Sequence, residues 1–139
     1  MPRIETDDEL RQVISGARTI AVVGLSPREH RDSFRVAKYL QDQGYRIVPV
    51  NPNTREVLGE TAYQRLEDVP YPIDIVDVFR RPDAVEEIAR DAVAVGARAI
   101  WFQIGVVNES AAAMASDAGL DVVMDRCLMV DHGRLSSQG

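Results

Sequence analysis

One cysteine and two histidines among 139 residues leave little material for cross-linking or for metal chemistry. Cys127 cannot close an internal disulfide, and His30 with His132 cannot supply a His/Cys cage, so no metal site is expected. Excess positive charge is also missing. The 16 Lys and Arg residues against 22 Asp and Glu give a net charge of −6, which disfavours general attraction to nucleic acid or anionic lipid and confines any polyanion to a local basic patch. No apolar run approaches the length needed to span a membrane. Residues 1–18 carry Arg3, Glu5, Asp7, Asp8, Glu9 and Arg11 where a signal peptide would be apolar, so a cytoplasmic protein is expected. What is present, 45% apolar and 27% charged residues, is the composition of one globular domain that needs no staple.

The apolar residues fall into a regular alternation. Thr19 to Val23, closed by Gly24, is a short continuous apolar run and reads as a strand buried on both faces. A turn-rich stretch follows, then a helix over Ser33 to Gln43 with Phe34, Ala37 and Leu40 on one face and Gly44 as its stop. Further strands are expected at Arg46–Val50, Ile73–Phe79, Ala99–Phe102 and Asp121–Met124, with Pro49 interrupting the pairing of the second. Asn53 to Pro72 reads as a connector with one helical turn near Ala62 to Leu66. Asp83 and Glu86 resemble a capping box opening a helix whose stripe is Val85, Ile88, Ala89, Ala92 and Val93. Glu109 to Ala118 is a further helix, Asp7 to Gly16 is a leading helix expected to cover one sheet edge, and Ser136 to Gly139 should be a frayed tail. Five strands alternating with helices predict a doubly wound α/β domain, a parallel sheet with helices on both faces.

In that architecture ligands bind beyond the carboxyl ends of the strands, so the candidate site can be assembled from the loops. After the first strand come Gly24, Leu25, Ser26, Pro27 and Arg28, then Ser33 at the start of the next helix. The loop has one glycine and is not the compact G-x-G-x-x-G dinucleotide turn. It retains the parts that hold an anion: Gly24 admits a ligand to the backbone, Ser26 offers a hydroxyl, and the helix start offers free N–H groups. On this reading a bulky residue at Gly24 should abolish binding with the fold intact. The plainer alternative makes Asp32 or Ser33 an N-cap and Gly24 a turn glycine. Arg28, Arg31, Arg35 and Lys38 concentrate positive charge here, with Arg28 the best candidate and Arg35 and Lys38 better read as a solvated helix face.

The second strand ends in Val50-Asn51-Pro52, without the acidic residue that reads a free ribose diol, so NAD is disfavoured while NADP and coenzyme A stay open. Asn51 and Pro52 could equally form only a turn. Phe79 and Arg80 close the third strand and offer a ring and a guanidinium, and Gln103 with Gly105 after the fourth offers an amide and close backbone approach. A catalytic constellation is not apparent: no Ser-His-Asp order or carboxylate pair fits, His30 is isolated on a loop, and Cys127 reads most simply as a packing residue.

Taken in order, Ala21-Val22-Val23-Gly24-Leu25-Ser26, Ser33, Val50-Asn51-Pro52, Asp77-Val78-Phe79-Arg80, Trp101-Phe102-Gln103-Ile104-Gly105 and Met124-Asp125-Arg126-Cys127 resemble the small stand-alone CoA-binding proteins over about Thr19 to Asp131. The resemblance implies a Rossmann-like domain similar to the N-terminal domain of the succinyl-CoA synthetase α subunit. It further implies a CoA diphosphate over Gly24 to Arg28 and Ser33, adenosine near Val50 to Pro52, and the rest of the ligand toward Phe79-Arg80 and Gln103-Gly105. It does not imply catalysis, since the phosphohistidine and nucleotide-grasping parts of the synthetases are not in these residues. The first expectation is non-catalytic binding of CoA or acyl-CoA, with a protein partner or a homodimer compatible with it. The alternatives are an NADP-linked oxidoreductase, a synthetase-like subunit active only with a partner, or a domain that acts by protein contact with a vestigial pocket.

Overall fold

A computed structural model describes residues 3–136. In chain order the elements are α1 (Asp7–Ser15), β1 (Thr19–Val23), α2 (Asp32–Asp42), β2 (Arg46–Val50), β3 (Glu56–Val57), β4 (Glu60–Thr61), β5 (Ile75–Val78), α3 (Val85–Ala94), β6 (Ala99–Phe102), α4 (Glu109–Asp117), β7 (Asp121–Met124) and α5 (Leu128–Ser136). Five strands form one parallel sheet in the order β2-β1-β5-β6-β7. The chain steps from β1 to β2 on one side, then returns across β1 to β5. That reversal opens a crevice between the carboxyl ends of β1 and β5.

The apolar strands are continuous because both faces are covered. Ile20, Val22, Ile75 and Trp101 point into a layer with α1, α2 and α5, while Ala21, Val23, Val76 and Phe102 point into the opposite layer with α3 and α4. The predicted Rossmann-like α/β sheet is therefore the fold observed.

Several local expectations change. Pro49 does not interrupt β2, which is an edge strand: its carbonyl accepts from the Tyr63 N–H at 2.9 Å on the outer side, so the missing N–H falls where β1 needs none. The connector carries no helical turn at Ala62 to Leu66. It forms the β3–β4 hairpin, whose two turn residues, Leu58 and Gly59, have φ of 56° and 77° as a type I′ turn requires, followed by a 3-10 turn at Leu66–Asp68. No capping box forms at Asp83 and Glu86, because Pro82–Ala84 winds as a 3-10 turn and α3 begins only at Val85. A capping box does form at Thr6 and Glu9 on α1. That helix lies on a sheet face; the edge is covered by the segment before it, with Ile4 N–H on the Val122 carbonyl at 2.7 Å.

Helix α5 was not expected, and the reason lies in its buried face. Two positions of its inward stripe are polar, Asp131 at 2% and His132 at 7% exposure, between Leu128 and Leu135. Asp131 is held by both Nε and Nη2 of Arg126 at 2.7 and 2.9 Å, and by Arg134 at 3.2 Å. His132 Nδ1 meets the Tyr39 hydroxyl at 2.7 Å, between the edges of two tyrosine rings. Of the expected tail, Ser136 ends this helix and residues 137–139 lie outside the described residues. Asp131→Ala removes the two-point carboxylate partner of Arg126, while Arg134 keeps Asp7 at 2.9 Å, and should lower stability by about 1–3 kcal/mol, read as an earlier urea midpoint.

Candidate functional site

A cleft of about 860 Å³ opens at the β1/β5 crevice, within the range of small-molecule sites. It gathers eight of the thirteen predicted residues: Gly24, Ser26, Arg28, Ser33, Phe79, Arg80, Gln103 and Gly105. Leu25 is fully buried in the core and Pro27 lies in the loop without lining the cleft. Val50 and Pro52 line a neighbouring hollow of about 240 Å³, which shares Arg80 with the cleft. Asn51 lines neither: its Nδ2 donates to the Leu25 carbonyl at 2.9 Å and its Oδ1 accepts from Asn53 N–H at 2.8 Å. This asparagine makes the turn and braces the first loop against it.

The first loop is held in shape by its two serines. Ser33 Oγ accepts from Ser26 N–H at 3.0 Å, and Ser26 Oγ accepts from Arg28 N–H at 3.1 Å. Neither Asp32 nor Ser33 is the N-cap of α2. That position is Arg31, whose side chain makes no capping bond, so the first-turn N–H groups of an eleven-residue helix lack a side-chain cap.

Three guanidinium groups crowd this end, from Arg28, Arg31 and Arg80, and none has a carboxylate partner within ion-pair distance among the described residues. Arg35, by contrast, is paired with Asp32, and Lys38 with Asp42 at 3.4 Å. Three guanidinium groups without a carboxylate partner are therefore gathered at the mouth of one cleft, in a chain that is acidic overall.

The far end of the cleft is apolar. Ile104 is 68% and Val130 56% exposed, and Met129 and Cys127 stand beside them. Phe79 is half-buried, packed into the core on one side and lining the cleft on the other. Gly105 has a φ of +86° with its N–H on Asp125 Oδ1 at 2.8 Å. His30 and Cys127 both line the cleft. No group of three or more His, Cys, Asp or Glu among the described residues is placed to hold a metal ion, and no helix is long and apolar enough to cross a membrane.

Gly24 is required for a different reason from the one expected. Its φ is +89°, and a Cβ there would overlap the Phe79 carbonyl oxygen and lie 3.1 Å from Arg80 Cδ. The space that a side chain would fill belongs to the end of β5, not to a ligand, so substitution disturbs the fold itself.

Sequence reasoning passed over Asp77 as part of the site. It is fully buried in β5; its Oδ1 accepts from Gln103 Nε2 at 2.7 Å, and its Oδ2 has no partner. Burial pushes its carboxyl up to about 7, against the smaller opposing effect of the Gln103 hydrogen bond. The signal was a charged residue inside the apolar run Ile75-Val76-Asp77-Val78.

Fold and site together define a Rossmann-like α/β domain whose cleft, rimmed by arginines, lies at the topological switch point. The family model described as "CoA binding domain" matches residues 18–133, and the chain belongs to that family. It is 43% identical to the uncharacterized protein YneT of Bacillus subtilis over 124 residues, covering 89% of this chain and 92% of that one. A solved hypothetical protein from Pyrococcus horikoshii superposes with a TM-score of 0.93 at 40% identity, covering 95% and 93%. The chain is also 32% identical over 80 residues to an ADP-forming acetate–CoA ligase of Archaeoglobus fulgidus, over 55% of its own length and 12% of the ligase.

Two outcomes test this geometry. Gly24→Ala should cost about 2–4 kcal/mol of folding stability, seen as a lowered Tm without ligand; an unchanged Tm would contradict the close approach to β5. Because the Asp77 pKa is raised in the folded state, its contribution is complete below about pH 4 and is lost as pH rises through about 7. Unfolding free energies of the wild type and Asp77→Asn should therefore diverge across that window by on the order of 4 kcal/mol, to the disadvantage of the wild type at high pH. A difference independent of pH would contradict it.

Proposed function

We propose that this chain binds coenzyme A or an acyl-CoA non-catalytically, with the diphosphate held by the first loop. The observation that carries the reading is the set of three unpartnered arginines around the uncapped start of α2. A diphosphate satisfies both: its charge answers the guanidinium groups and its oxygens accept from the helix N–H groups. The adenosine end then lies over the hollow at Val50 and Pro52, reached past Arg80, and the uncharged arm runs toward Gln103 and the apolar rim. Asn51 takes part by bracing the loop.

Membership of the CoA binding domain family supports the ligand class. The match to a small part of an acetate–CoA ligase supports a second reading, in which the chain is one component of a larger acyl-CoA enzyme and needs a protein partner for turnover. A soluble carrier or sensor in the cytoplasm, alone or as a homodimer, is the simpler form.

Calorimetric titration of ligand-stripped protein with CoA, acetyl-CoA and NADP tests the reading. Binding of the two CoA species without NADP is expected, and NADP binding alone would overturn it in favour of an oxidoreductase. Arg28→Ala and Arg80→Ala should each weaken CoA about tenfold, while Arg35→Ala, already neutralised by Asp32, should not.

A further inference from the structure

The buried carboxyl beneath the cleft is an expensive feature with no structural need. Asp77 sits in the middle of the sheet, in register with Val22 of β1 and Trp101 of β6. Its one partner is Gln103, and Oδ2 is shut away from solvent unpaired. A valine or leucine would fill that place without the desolvation cost of a carboxyl group.

What Asp77 does is choose which way round the Gln103 amide lies. Gln103 is only 5% exposed, and that remaining surface belongs to the cleft. A glutamine amide has a donor end and an acceptor end, and Asp77 Oδ1 takes the donor end, Nε2. Oδ1 can accept that bond whether the carboxyl is ionised or protonated on Oδ2. The other end, Gln103 Oε1, has no hydrogen-bond partner among the described residues, yet it is not among the side-chain atoms closed off from solvent. It therefore faces the cleft as an unused acceptor.

We propose that Asp77 is a positioning residue that fixes Gln103 with its carbonyl toward the cleft, so that the ligand group lying against it must be an N–H or O–H donor. This rests on the CoA reading, and there the donor is an amide N–H of the pantetheine arm. Phosphates belong at the arginine end, and Gln103 stands at the other, beside Ile104 and Val106.

The test compares CoA with adenosine 3′,5′-bisphosphate, which carries nucleotide phosphates and no pantetheine arm, by calorimetry on the full chain. The wild type should bind both and prefer CoA. Gln103→Leu should remove about tenfold of CoA affinity and Asp77→Asn, whose amide accepts either orientation of Gln103, about three- to tenfold, with the bisphosphate unchanged in both. A merely structural role would weaken both ligands alike, and that result, or an undiminished preference for CoA, overturns the proposal while leaving the CoA reading standing. Binding of neither ligand by the wild type overturns both. A variant-free arm covers misfolding: in the wild type the Gln103 Nε2 protons should exchange slowly with and without CoA, and fast exchange, or a contact from Nε2 to the ligand, contradicts the assigned orientation.

Discussion

The close approach of β1 and β5 at their carboxyl ends governs the rest of the structure. The exit of β1 passes close over the end of β5, and Gly24 makes that passage with a φ of +89° and no room for a Cβ against the Phe79 carbonyl. From there the chain turns up one face to α2, while β5 leaves through Phe79 and Arg80 toward α3 on the other. The crevice between these two departures is where the amino end of α2, the three unpartnered arginines and Gln103 come together. A substitution that pushed the strands apart would disperse the site as well as weaken the sheet.

Much of this was legible in the residues because burial on both faces leaves a strong mark. Strands such as Thr19–Val23 and Ala99–Phe102 are unbroken apolar runs, and in a parallel sheet their connections are constrained enough to locate the ligand edge. The less legible parts were those where tertiary context overrides local pattern. Pro49 is harmless because its strand is at the edge, and α5 is hidden because Asp131 and His132 occupy its core-facing stripe. The β3–β4 hairpin turns on Leu58 and Gly59, and a leucine at φ 56° is no turn signal. At the site, residue types pointed to the right loops but not to each residue's task. Gly24 serves the sheet, Asn51 braces the loop, and Asp77 lies underneath, where an alternation pattern reads it only as part of a strand.

The site itself is divided by polarity. One end presents guanidinium groups and helix N–H groups; the other presents Ile104, Met129 and Val130 around a single oriented amide. A ligand that is an anion at one end and a weakly polar chain at the other matches this division, and a plain dinucleotide, polar along its whole length, matches it less well. The protein's net charge of −6 makes the contrast sharper, because the arginines of the cleft gather positive charge in a chain with an excess of acidic residues.

The most direct test of the account is a ¹H–¹⁵N NMR titration of the ligand-stripped protein with CoA. The account predicts saturating shifts confined to the loop from Gly24 to Ser33, the β5 exit at Phe79–Arg80, and Gln103 to Gly105, with weaker changes around Val50 and Asn53. Shifts that instead map to the β7 edge or the α1–α5 surface, or no shifts at all at millimolar CoA, would contradict it.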